Sequence, residues 1–132
     1  MPHTLVVYRP GPRADSALRE LAESAHGGGI RLTVLTPLAQ ESEQRGCCDT
    51  RSVMWNEICR DLARENLARA KRAVAAEDGM EFGVLPFAGH GLADAVIREA
   101  VAREADEVAL VARLGPLERR RLRRRSPVPV RA

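Results

Sequence analysis

Aromatic side chains and long apolar runs are both scarce in this 132-residue chain. Aromatic residues make up 3% of the sequence and hydrophobic residues 45%, so the core has to consist mainly of alanine, valine and leucine. Such small side chains suit helices packed closely on a sheet. No stretch approaches the roughly 20 apolar residues of a membrane span, and the first residues lack the basic and apolar regions of a signal peptide. We therefore expect a cytoplasmic protein that does not enter a membrane.

Cysteine is also sparse, and its odd number excludes a complete disulfide framework. Cys47 and Cys48 are adjacent and cannot readily form an unstrained disulfide with each other, and no zinc-site spacing is present. Cys59 falls on the apolar face of a predicted helix and is expected in the core. Cys48 lies near the start of that helix, where the helix N-terminus favours a thiolate. A thiol-based sensor therefore stays open as a hypothesis, and no metal site is expected.

A length of 132 residues fits one domain over residues 1–132. Charge is distributed unevenly along this domain. Residues 113–132 contain eight Arg and one Glu and carry +7, whereas the preceding residues carry −4. A basic segment at 113–127 on an acidic body can attract phosphates or nucleic acid, or can pair with a partner subunit. The chain has only four aromatic residues and so lacks a stacking platform, which does not favour nucleic acid.

Apolar strands alternate with amphipathic helices, and this alternation predicts a parallel sheet covered on both faces. Thr4 to Tyr8 is an uncharged β-prone run, typical of a strand buried on both faces in the middle of a parallel sheet. A ligand crevice is expected beyond its carboxyl end. Pro37 is expected to close the second strand. The predicted strands are 4–8, 30–36, 80–87, 107–112 and a short edge strand at 128–130.

The longest predicted helix runs from Met54 to about Glu77, with Thr50 or Ser52 as its N-cap and a turn at Asp78-Gly79 after it. Its periodicity predicts one buried apolar face. The residues assigned to that face are Ile58, Cys59, Leu62, Ala63, Leu67, Ala70 and Val74.

Five local sequences follow one another in a characteristic order and spacing. They are Leu5-Val6-Val7-Tyr8 with Ser16-Ala17-Leu18, Leu32-Thr33-Val34-Leu35, Gly89 with Ile97 and Ala100, Ala105 to Val111, and Pro127-Val128-Pro129-Val130. Together they resemble the universal stress protein family. The resemblance implies a flavodoxin-like, Rossmann-like three-layer α/β/α fold, with a parallel sheet of four or five strands in the order 3-2-1-4-5.

The resemblance also implies a nucleotide site. In nucleotide-binding members an Asp after the first strand contacts the base, and a loop G-x2-G-x9-G-(S/T) after the fourth strand cradles ribose and phosphates, since glycine lets backbone N–H groups approach. Here Arg9 takes the Asp position, with Asp15 as a displaced alternative. Ala112 to Gly115 fit the first half of the loop with its first glycine lost. Nine residues later Arg125-Ser126 fall where Gly-Ser is expected, so Ser126 keeps the hydroxyl and Arg125 replaces the glycine.

Ser126 has a competing assignment, because the family ends in a P-x-P-V segment that Pro127 would begin. Both assignments cannot hold in full, since eleven residues separate Gly115 from Pro127. The arginine run at 119–125 is likewise open between an anion site and a solvated helix. The predicted nucleotide or anion site consists of Arg9, Gly11, Thr36, Arg113, Gly115, Arg125 and Ser126.

No catalytic constellation stands out, and we expect a protein that is not an enzyme. The resemblance favours a dimeric binding or adaptor module in stress response, with nucleotide binding lost or altered and no required cofactor. The alternative is a universal stress protein that binds ATP or another adenine nucleotide through the loop at 112–126. We expect a homodimer, for which the exposed edge at Val128 to Arg131 offers a surface, and a protein partner.

Overall fold

Five parallel strands and four helices form the part of the chain described by this computed structural model, which covers residues 2–41, 50–74 and 80–131. The strands join into one sheet with the order β3-β2-β1-β4-β5. This arrangement confirms the predicted flavodoxin-like fold. In chain order the elements are β1 (His3–Tyr8), α1 (Ala14–Gly28), β2 (Arg31–Ala39), α2 (Thr50–Val74), β3 (Met80–Phe87), α3 (Leu92–Ala102), β4 (Glu107–Val111), α4 (Pro116–Arg125) and β5 (Val130–Arg131).

The first strand lies at the centre of the sheet and is buried along its whole length. It pairs in parallel with β2, where Val6 lies opposite Val34, and with β4, where Tyr8 lies opposite Val111. A strand with a neighbour on each side and helices on both faces has no contact with water, which explains its uncharged sequence.

The core has two halves, one on each face of the sheet, because successive side chains of a strand point to opposite faces. Leu5 and Val7 pack with α3 and α4, whereas Val6 and Tyr8 pack with α1 and α2. The result is the three-layer architecture. Within the described ranges no helix is both long enough and apolar enough to cross a membrane.

The second strand is longer than predicted, because Pro37 lies inside it rather than at its end. Pairing with β1 stops at Leu35, while pairing with β3 continues from Pro37 to Ala39. Beyond Leu35 the side of β2 that faced β1 is therefore an unpaired strand edge, and a proline is tolerated at such an edge because it has no N–H to donate.

The long helix α2 presents a different face to the sheet from the predicted one. Ala63, Ala70 and Val74 are buried as predicted, but Ile58 and Leu62 are 58% and 54% exposed.

Polar contacts at the end of β2 explain the difference. The Asn56 side chain accepts a hydrogen bond from the Glu41 backbone N–H (2.8 Å) and donates one to the Glu41 carbonyl (2.9 Å). Ser52 is buried in the first turn of the helix and donates to the Glu41 carboxylate (3.2 Å). These bonds fix the rotation of α2 about its own axis.

The predictions for Cys47, Cys48 and the Asp78-Gly79 turn concern residues outside the described ranges.

The arginine-rich helix α4 is attached to the core by one buried side chain, Leu122, which is fully inaccessible to solvent. Polar contacts to α3 add to this attachment. Arg125 pairs with Asp94 (3.3 Å), and the Glu118 carboxylate accepts a hydrogen bond from the Ala93 backbone N–H (3.1 Å) at the start of α3. The helix is therefore held on its α3 side by Leu122 and by these polar contacts.

Replacing Leu122 tests this attachment. We expect Leu122→Ala to lower the free energy of unfolding by about 2–5 kcal/mol, because it removes buried methyl groups and leaves a cavity. Leu117→Ala is the matched control on the same helix, since Leu117 is 77% exposed, and should change stability by no more than about 0.5 kcal/mol. Urea unfolding measures both, and equal effects would contradict the assignment of Leu122 as the anchor.

The buried hydroxyl of Tyr8 joins β1 to both helices on its face of the sheet. It donates a hydrogen bond to the carboxylate of Asp15 on α1, which also pairs with Arg69 of α2 (3.0 Å). The Tyr8 hydrogen bond, and secondly Arg69, hold the pKa of Asp15 below its usual value. Burial, and secondly Asp15, raise the pKa of Tyr8. The carboxylate therefore stabilises the fold in its ionised form.

We expect Asp15→Ala to cost about 1–3 kcal/mol of unfolding free energy, because the buried Tyr8 hydroxyl loses its partner. In a Tyr8→Phe background the same change should cost clearly less, which a double-mutant cycle in urea measures. An Asp15→Ala effect that is the same in both backgrounds would argue against this contact.

The same contact makes stability depend on pH. Because the folded state lowers the pKa of Asp15, the contribution of Asp15 to stability is present above about pH 4 and declines as pH falls further. Because the folded state raises the pKa of Tyr8, the contribution of Tyr8 to stability is complete below about pH 10 and is lost as pH rises above it.

Candidate functional site

An open cavity of about 810 Å³ lies at the carboxyl ends of β1 and β4, at the predicted position of the crevice. This is the switch point of the sheet, where the connections of neighbouring central strands leave in opposite directions. The lining residues come from the β1–α1 connection, the start of α1, the end of β4, the β4–α4 connection and α4. They are Arg9, Pro10, Gly11, Pro12, Arg13, Ala14, Ala17, Val111, Ala112, Arg113 and Arg119.

The two prolines after β1 direct the chain out of the sheet beside this cavity. The Arg9 backbone N–H still donates to the Val111 carbonyl (3.2 Å), so the ladder between β1 and β4 continues one residue beyond Tyr8. Pro10 and Pro12 have no N–H and cannot extend it. The chain therefore leaves the sheet, and the Ala14 N–H donates to the Gly11 carbonyl (3.2 Å) in the turn into α1.

The cavity has a strong positive charge, because four of its lining residues are Arg9, Arg13, Arg113 and Arg119 and none is acidic. Within the described ranges none of these guanidinium groups bonds to a carboxylate, and the Arg119 Nε is buried without any partner. Arg9 is half-buried, and burial lowers its pKa, yet an arginine stays protonated at neutral pH. Arg13 and Arg113 are exposed, whereas Arg9 is half-buried and the Arg119 Nε is fully buried. Withdrawing an unpaired cationic group from water is costly, so these last two groups favour a bound anion.

Three of the seven predicted site residues meet at this cavity, namely Arg9, Gly11 and Arg113. Thr36 does not reach it. It lies inside β2, because that strand continues to Ala39, and its buried hydroxyl has no partner among the described residues.

Gly115 does not form a phosphate cradle. It is the N-cap of α4 with φ −61° and ψ 155°, which any residue adopts, and a side chain there would meet open space. The residues that the predicted loop would need are used by α4 instead, since the helix begins at Pro116. The distinctive conformational freedom of glycine therefore has no role at this position.

Arg125 and Ser126 lie at the far end of α4, away from the cavity lining. Arg125 pairs with Asp94, and the Ser126 hydroxyl donates to the Val128 carbonyl (2.7 Å). Ser126 thus ends the helix and turns the chain towards β5, which agrees with the assignment of Ser126 and Pro127 to the start of the final segment.

Asp15 does not replace the base-contacting Asp of the resemblance, because its carboxylate is engaged by Tyr8 and Arg69 and does not line the cavity. Arg13 was not predicted as a site residue, and Arg119 was predicted only as a member of the arginine run at 119–125. A usable signal for Arg119 was its spacing: it precedes Leu122 by three residues, so the two side chains share one side of α4. The described residues contain no group of His, Cys, Asp or Glu side chains that could hold a metal ion.

Comparison by sequence finds no matching family model and no matching curated protein. Comparison with solved structures finds universal stress proteins. UspA from Lactobacillus plantarum superposes with a TM-score of 0.74 at 14% identity, over 98% of this chain and 94% of that one. The universal stress protein from Archaeoglobus fulgidus in complex with dAMP has a TM-score of 0.63 at 21% identity, over 99% and 95%.

A plant structure agrees with these two. The Arabidopsis thaliana universal stress protein family protein with AMP bound has a TM-score of 0.60 at 12% identity, over 98% of this chain and 89% of that one. Each of these three superpositions covers at least 98% of this chain and at least 89% of the other one. The chain therefore has the universal stress protein fold.

Proposed function

We propose that this protein is a non-enzymatic binding protein of the stress response that takes a phosphate-bearing ligand in the cavity beside β1 and β4. The observation that carries this proposal is the set of four arginines, with no acidic side chain, around a volume of about 810 Å³. An adenine nucleotide is the first ligand to test, since solved structures of this fold contain dAMP and AMP.

The proposed recognition of phosphate differs from that of a glycine-rich loop. Guanidinium groups bind phosphate oxygens in a bidentate manner and carry their full charge at neutral pH. The Arg119 Nε is a buried donor that a phosphate oxygen would satisfy. We infer that Arg9, Arg113 and Arg119 contribute the binding energy that backbone N–H groups of a glycine loop would otherwise supply, so that nucleotide binding is altered rather than lost.

The side chains around the cavity also support binding without chemistry. Apart from the arginines, the lining consists of proline, alanine and valine with Gly11. None of these side chains is a nucleophile or exchanges a proton near neutral pH. The bound ligand would therefore act as a signal or as a structural ligand.

A second candidate is an adaptor that has lost the nucleotide and acts through protein contacts. The helix α4, which occupies the place of the predicted phosphate loop, favours it. Under either candidate we propose a cytoplasmic homodimer. The short edge strand β5, Val130–Arg131, offers one surface for it. A reactive Cys48 as a thiol sensor stays a prediction, because that residue lies outside the described ranges.

The test is calorimetric titration with ATP, AMP and adenosine. We expect binding of ATP that weakens as salt is added, and adenosine should bind at least about tenfold more weakly, because it lacks the groups that the arginines contact. Arg113→Gln and Arg119→Gln should each weaken ATP binding by about 10- to 100-fold, since a hydrogen bond to a charged group contributes about 1.5–3 kcal/mol.

Arg98→Gln is the matched control, because Arg98 is an exposed arginine on α3 that does not line the cavity. It should leave the affinity unchanged, and circular dichroism checks that every variant is folded. No heat and no thermal shift at millimolar ATP would refute the ligand proposal and favour the adaptor. Equal losses in Arg98→Gln and Arg119→Gln would show non-specific attraction to a basic protein.

A further inference from the structure

An apolar stripe lies exposed along the N-terminal half of α2. Met54, Trp55, Ile58 and Leu62 are 61%, 47%, 58% and 54% exposed. Their spacing of three and four residues places them on one side of the helix. This face is separate from the buried face that carries Asn56, Ala63 and Ala70. The helix thus has two apolar sides, and the sheet covers only one of them.

Charged residues of opposite sign bound this stripe. Arg51 and Glu65, both exposed, stand seven residues before and seven residues after Ile58. The series Arg51, Trp55, Ile58, Leu62 and Glu65 advances by four, three, four and three residues, which is the spacing of a coiled-coil seam.

The stripe is complementary to itself when two copies meet in opposite directions. A two-fold axis near Ile58 would place each Arg51 beside the partner subunit's Glu65, since both lie about 10 Å from the axis at 1.5 Å rise per residue. The same axis would place Trp55 near the partner subunit's Leu62, because their offsets from Ile58 are three and four residues. In a parallel arrangement Arg51 would face Arg51 and Glu65 would face Glu65, which is repulsive.

We propose that this stripe is an interface with a second copy of this chain, formed by antiparallel packing of α2 against α2. Opposite charges at both ends fix the direction, and three apolar side chains from each copy fill the seam. The contact area of two half-helices falls below the roughly 800 Å² per partner of a stable standard-size complex. The dimer is therefore weak and concentration-dependent, and it is distinct from any pairing of the β5 edges.

Analytical ultracentrifugation over a concentration series tests the proposal together with the fluorescence of Trp55, the only tryptophan of the chain. Wild type should double its mass as its concentration rises towards about 1 mM, from monomer to dimer, or from dimer to tetramer where β5 edges already pair. Trp55 emission should shift to the blue over the same range as the ring leaves water. Ile58→Asp should raise the dissociation constant at least about tenfold, because it puts two like charges at the axis. Its fold should be intact because Ile58 is exposed.

Val101→Asp is the matched control, since Val101 on α3 is 59% exposed and lies outside the stripe. It should associate like wild type. A doubling of mass that Ile58→Asp leaves unchanged would overturn the proposal and point to another surface, such as the β5 edge. A wild-type protein whose mass does not rise with concentration up to about 1 mM would overturn it as well and leave the stripe to a different partner.

A charge exchange tests the direction of packing. Arg51→Glu and Glu65→Arg should each weaken the dimer about three- to tenfold, because each places like charges together at both ends of the seam. The double variant Arg51→Glu/Glu65→Arg restores opposite charges and should return the dissociation constant to within about twofold of wild type. Additive losses in the double variant would refute the antiparallel register.

Discussion

Burial of β1 on both faces and along both edges is the constraint on which the structure depends. This strand contributes Leu5 and Val7 to one half of the core and Val6 and Tyr8 to the other. It can do so only between β2 and β4, and that position brings the end of β1 beside the end of β4. The proximity of the Arg9 and Arg113 segments is a direct result, so the site follows from the packing of the most apolar strand.

The interior position of β1 was predictable because its signal is local and strong, whereas the full strand order was implied only by the resemblance to the universal stress protein family. The uncharged run from Thr4 to Tyr8 could occupy only an interior position, and alternation with helices implied parallel neighbours. The buried face of α2 was not predictable from apolar periodicity. Asn56 and Ser52 bond to Glu41, fifteen and eleven residues away, and turn Ile58 and Leu62 outwards. Periodicity finds an apolar face, but α2 has two, and polar contacts choose between them.

The candidate site was predictable in place and only partly in composition. Its position followed from the topology, and Arg9, Gly11 and Arg113 follow the ends of the two strands. Arg125 and Ser126 were assigned by aligning them to a loop, whereas ten residues of this segment form a helix. The prediction that Pro37 ends the second strand puts Thr36 at a strand end, whereas β2 loses only one neighbour there and continues. In both cases the prediction failed because the conformation depends on tertiary contacts, which a short sequence segment does not reveal.

The arrangement of α4 has a consequence for the energetics of the whole domain. Arg119 reaches the cavity and Leu122 enters the core less than one helical turn later, so the two side chains move as parts of one rigid segment. Any molecule that engages Arg119 in the native state would also restrain Leu122, and by mass action it would shift the unfolding equilibrium of the core. Occupancy of the crevice and the integrity of the C-terminal segment are therefore thermodynamically linked.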